Sequence, residues 1–133
     1  MSEELQGRVR KRVAEVLALQ PEEVRADASL VDDLGADSLD LVDLMFTLEK
    51  EFGITLKRQD LSLTAQLGIP EEEVHRNEIL TPKALDLLRA RFPAAAEKLR
   101  EGSTRKQLAV LLTVEEISRA VGRKLAEPRA GQV

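Results

Sequence analysis

The stretch VDDLGADSLDLVDLMFTLEKEFGI, residues 31–54, decides how this chain folds. From Ser38 to Phe52 apolar residues recur at helical spacing, and Gly53 stands where a helix ends in a left-handed cap. At about 100° per residue, Leu41, Leu44, Met45, Leu48 and Phe52 share one arc of the wheel, the width of an ordinary core face. Leu39, Val42 and Phe46 fall almost opposite, beside Asp40, Asp43, Glu49 and Lys50. A single packed face cannot bury both stripes. Either the helix is covered on two sides, or the second stripe is exposed and rimmed by acids, as on a helix that binds a partner. Covering it would desolvate the acids, which favours exposure.

At the start of this helix lies Leu34-Gly35-Ala36-Asp37-Ser38-Leu39-Asp40. Gly35 permits a tight approach, and Ser38 stands where backbone N–H groups and the helix dipole favour an anion. A phosphodiester on the Ser38 hydroxyl would be exposed and away from the core. Serine at a helix start is usually only an N-cap, so Asp-Ser-Leu by itself decides nothing.

Toward the N-terminus, Leu5, Val9, Val13, Val16 and Leu17 form one stripe, predicting a first helix from about residue 3 to 19 that ends at Pro21. Residues 21–37 read as a long connection, with Val24, Leu30, Val31 and Leu34 available to tuck it against the core. Toward the C-terminus, Thr113 and Glu116 read as a capping box that opens a closing helix with the stripe Val114, Ile117, Val121 and Leu125. Between them, residues 56–63 suit a short helical turn. Pro70 before Glu71, Glu72 and Glu73 suits a helix start, as does Thr81-Pro82. Leu85, Leu88 and Phe92 form a stripe that Pro93 interrupts, and a further short helix fits before Gly102. No strand alternation of useful length is visible, so the chain reads as all-α.

The residues that are missing restrict the chemistry. The 133 residues include no Cys and one His, which excludes disulfides, thiolate nucleophiles, cysteine-zinc sites and a multi-His metal site from one chain. His75 reads as a surface or packing residue. No nucleophile elbow or phosphate-cradling glycine loop is present, so the chain is expected not to be an enzyme. The net charge of −4 hides a segregation: residues 27–51 carry −7 and the remainder +3. That pattern points to basic protein partners and away from nucleic acid. No apolar run approaches a membrane span, and Met1-Ser2-Glu3-Glu4 lacks the basic region of a signal peptide, so a cytoplasmic monomer is expected.

Taken whole, residues 31–54 closely resemble the carrier motif and second helix of acyl carrier proteins, in LGADSLD and in the acidic helix that ends EKEFGI. The first helix, PEEVRADASL and LTVEEISRAVGRKL are similar to the same family, so the likeness covers residues 3–62 and 112–126. The resemblance implies an acyl-carrier-like four-helix bundle that carries acyl intermediates as thioesters. Their attachment point would be 4′-phosphopantetheine, moved from coenzyme A onto Ser38 by a phosphopantetheinyl transferase. It also implies that acyl-processing enzymes with basic docking patches meet Asp37, Leu39, Asp40, Val42, Asp43, Phe46 and Glu49. A peptidyl or aminoacyl carrier and an unmodified helical interaction module are the alternatives; Ala36-Asp37 before Ser38 looks more acyl-type.

Two features depart from the family pattern. Lys50 occupies a turn that is commonly all acidic, which points away from bulk fatty acid synthesis and toward a specialised fatty acid, lipid or polyketide pathway. The chain also exceeds a simple carrier by about 50 residues. It is read as one carrier domain over 1–133, with inserted helices at 63–111 and a flexible tail at 127–133. The insertion is expected to pack near the third helix and to enlarge or cover the acyl pocket, since Leu85, Leu88 and Phe92 need a surface to pack on.

Overall fold

Among the described residues, five α-helices account for most of the regular structure: α1 (Glu3–Leu17), α2 (Ser38–Phe52), α3 (Glu71–Val74), α4 (Pro82–Arg91) and α5 (Val114–Ala126). The computed structural model describes residues 3–104, 107–108 and 111–127. Met1–Leu61 and Leu112–Val133 fall in one unit and Ser62–Leu111 in a second.

In the first unit, α1, α2 and α5 each turn a stripe inward. Val9 and Val13 meet Leu44, Leu48 and Phe52 and, from α5, Val114, Ile117 and Val121, all buried. Leu5, Val16, Leu17, Leu41 and Met45 pack around this cluster half-buried. Burying one such side chain contributes roughly 1.5–3 kcal/mol, so these stripes outweigh any single polar contact in the unit. The all-α reading and the bundle are borne out, with the third helix reduced to one 3₁₀ turn at Arg58–Leu61.

Two helix ends differ from expectation. The first helix stops at Leu17, short of Pro21, because Ala18 turns left-handed at φ 57°. Leu19 N–H then donates to Ala14 O at 2.8 Å, closing a Schellman motif that satisfies an orphan carbonyl. In α5, Leu125 is 44% exposed although its stripe partners are buried, since the last turn runs past the core. Thr113 caps α5, its hydroxyl accepting from Glu116 N–H at 3.2 Å, while the Glu116 carboxylate accepts from Arg119 at 2.7 Å.

The connection from 18 to 37 is held by polar contacts that spacing does not reveal. Arg10 donates to Val24 O at 2.8 Å and to Pro21 O at 3.0 Å. Ser29 bridges Thr113, and Leu30 N–H donates to Leu112 O at 3.1 Å. Val24 and Leu30 are buried, Leu34 packs on the cluster, and Val31 is half-buried.

The second unit has its own core of Leu63, Val74, Leu80, Leu85, Leu88, Phe92, Leu99, Leu108 and Leu111. The stripe Leu85, Leu88 and Phe92 thus finds its cover among residues of the same unit. Thr81 caps α4 through Ala84 N–H at 3.2 Å, and the helix gives way to a 3₁₀ segment at Pro93–Lys98. One element was not expected: a small antiparallel hairpin of β1 (His75–Arg76) and β2 (Ile79–Leu80), turned by Asn77 and Glu78 at positive φ. Two-residue strands are too short to show alternation, and Asn-Glu lacks the glycine that usually marks such turns. Residues 128–133, nearly all of the expected tail, lie outside the described residues.

Candidate functional site

The turn before α2 is fixed on both sides of Gly35. Asp33 Oδ2 accepts from Ser29 N–H at 2.8 Å, Leu34 N–H donates to Ser29 O at 3.1 Å, and Ala36 N–H donates to Leu30 O at 2.8 Å. Gly35 itself sits at φ +73° with open space where a Cβ would stand, so its role is conformational rather than steric. Asp37 is the N-cap of α2: its Oδ1 accepts from Asp40 N–H at 2.9 Å, and Asp40 Oδ2 accepts from Asp37 N–H at 3.0 Å. This reciprocal pair satisfies two N–H groups that would otherwise lack partners.

Ser38 is therefore the first residue inside the helix and not its cap. Its side chain is exposed, and among the described residues its hydroxyl has no hydrogen-bond partner. A hydroxyl with neither a capping bond nor a covering side chain can be approached without breaking structure. The reciprocal cap has a signal in the sequence, the Asp37-x-x-Asp40 spacing just before an apolar run.

Along α2 the second stripe faces out. Leu39 is 77% exposed, Phe46 60% and Val42 38%, with Asp43 and Lys50 exposed beside them. The two acids near the C-terminal end are engaged elsewhere. Half-buried Glu49 accepts from Leu56 N–H at 2.7 Å and so fixes the loop after the helix. Glu51 meets Arg8 at 2.7 Å and Arg12 at 3.5 Å, and the Arg8 guanidinium lies 4.4 Å from the centre of the Phe52 ring. The hydrogen bond from Arg8 holds the Glu51 carboxyl below its ordinary pKa.

Residues 7–68 match the family model described as the phosphopantetheine attachment site. The chain is also similar to the acyl carrier protein of Thermotoga maritima, 42% identical over 66 residues that span 50% of this chain and 82% of that protein. The chain belongs to the acyl carrier protein family. It is a carrier and not an enzyme, and its cofactor is 4′-phosphopantetheine, held covalently.

This structure offers such a group a suitable place. An exposed hydroxyl without a partner among the described residues stands at the start of α2, where a phosphodiester would stay hydrated and no core residue need move. When bound, the arm supplies the terminal thiol that holds acyl groups, in a chain that has no Cys of its own. The carrier works with a transferase that attaches the arm and with enzymes that process the acyl cargo.

Of the residues expected to contact partners, Leu39, Val42, Asp43 and Phe46 lie together on the exposed face. Asp37 and Asp40 are at the cap, and Glu49 is at the margin. His75 Nε2 lies 3.3 Å from Glu71 Oε1, and among the described residues no group of three or more His, Cys, Asp or Glu is placed to hold a metal ion. Among them, too, no helix is long and apolar enough to cross a membrane.

Proposed function

We propose that Ser38 is the attachment point of the 4′-phosphopantetheine arm, and that acyl intermediates ride on it as thioesters in a specialised fatty acid, lipid or polyketide pathway. The observation that carries this reading is the exposed Ser38 hydroxyl, which has no partner among the described residues, with Asp37 capping the helix. The partner surface is the adjoining face of α2: Asp37, Leu39, Asp40, Val42, Asp43 and Phe46, with Glu49 at its rim. Acids speed encounter with basic docking patches, and the exposed apolar side chains supply short-range contact. Lys50 and the separate unit Ser62–Leu111 support a specialised rather than a general pathway.

Incubation of the full chain with coenzyme A and a broad-specificity phosphopantetheinyl transferase, followed by intact-mass measurement, tests the attachment. Wild type should gain one phosphopantetheine and Ser38→Ala none. Equal gain by Ser38→Ala, or no gain by wild type, would sink the proposal; the second result would leave an unmodified interaction module. The loaded protein should then accept cargo from acyl-transferring enzymes and not from amino-acid-activating ones.

A further inference from the structure

Leu39, Asp43, Phe46 and Lys50 follow one another at spacings of four, three and four residues, which places them in one line along α2. Lys50 thus continues the exposed stripe instead of flanking it. It is exposed, and among the described residues it forms no ion pair. Its sequence neighbours are turned to other partners, Glu49 to Leu56 N–H and Glu51 to Arg8 and Arg12. The exposed line therefore changes sign along its length. Its acid, Asp43, lies within two turns of Ser38, near Asp37 and Asp40 of the cap, and its cation stands twelve residues beyond Ser38, about 18 Å along the axis at 1.5 Å per residue.

We infer that Lys50 is a specificity residue for docking. The partner it fits is an acyl-processing enzyme with cationic groups opposite Asp37–Asp43 and a carboxylate opposite Lys50. This inference rests on the reading of α2 as the docking face. Unlike charges at both ends would fix the register of the carrier on its partner, and like charges would disfavour an enzyme whose docking surface is basic throughout. A lysine in the last turn also complements the helix dipole, an effect that changes stability and leaves docking alone.

The two roles separate in kinetics. Wild type, Lys50→Gln and Lys50→Glu, each carrying the arm on Ser38 by intact mass, are assayed with a bacterial malonyl-transferring enzyme. The enzyme is chosen so that its docking surface bears Lys and Arg and no carboxylate. The expected result is a KM lower by roughly three- to tenfold for Lys50→Glu, an intermediate KM for Lys50→Gln, and an unchanged kcat. The differences should shrink as salt is raised. KM values equal within about twofold among three folded, loaded proteins would overturn the role of Lys50 while leaving the attachment reading intact. Failure of Ser38 to take the arm in any of them would overturn the attachment reading, and this inference with it.

Discussion

At the start of α2 the capping role falls to Asp37, separate from the attachment role proposed for Ser38. Asp37 closes the end of α2 and leaves the Ser38 hydroxyl without structural duty. Asp37→Ala should therefore destabilise the protein by about 1 kcal/mol in urea unfolding, with Asp37→Asn recovering most of the loss. Ala18 is the opposite case, a side chain where glycine would fit better. At φ 57° its Cβ is strained, so Ala18→Gly should raise the urea midpoint, by roughly 0.5–1 kcal/mol in stability. Glu51 has a lowered pKa in the folded protein, chiefly through its hydrogen bond with Arg8. Its contribution to stability is thus present above the unfolded-state pKa near 4.5 and is lost as pH falls through the lower folded value. Urea midpoints measured between pH 7 and 3 should fall less steeply for Glu51→Gln than for wild type.

Among the elements, α2 was the most legible, because its stripes, its glycine stop and its exposed second face are all encoded locally. Leu44, Leu48 and Phe52 are buried and Leu39 and Phe46 exposed, as a wheel of fifteen residues requires. Phe46→Ala should change stability by less than about 0.5 kcal/mol, since the ring is mostly in solvent. It should nonetheless raise the KM for acyl-processing enzymes by several-fold in steady-state assays. Elements set by distant partners were less legible. The end of α1 depends on Ala18 adopting a rare conformation, and the exposure of Leu125 depends on how far the core extends beside α5. The hairpin of β1 and β2 is joined on its other edge by Thr104, a contact between residues 25 apart that no local pattern announces.

At the scale of the molecule the described residues form two hydrophobic cores, one in each unit. Leu48 and Leu88 are both fully buried, so truncating either to alanine should cost about 2–5 kcal/mol. The effects should be separable by hydrogen exchange. Leu48→Ala should weaken amide protection in α1, α2 and α5, and Leu88→Ala in α4 and the segments around it; uniform loss in both variants would show that the cores unfold as one.

By itself the sequence determined the helix class, the inward stripes, the acidic face and the motif around Ser38, because each depends on residues within a few turns of one another. The choice of Asp37 over Ser38 as the cap of α2 is local too, since Asp37 and Asp40 are three residues apart. Only the tertiary structure decided that Glu49 and Glu51 are occupied while, among the described residues, Lys50 forms no ion pair. It also decided that the stripe of α4 is covered from within Ser62–Leu111. The physical reason is common to both. A spacing reports which side chains share a face, whereas the partner of a polar group or an apolar stripe is set by segments that meet only when the chain is folded.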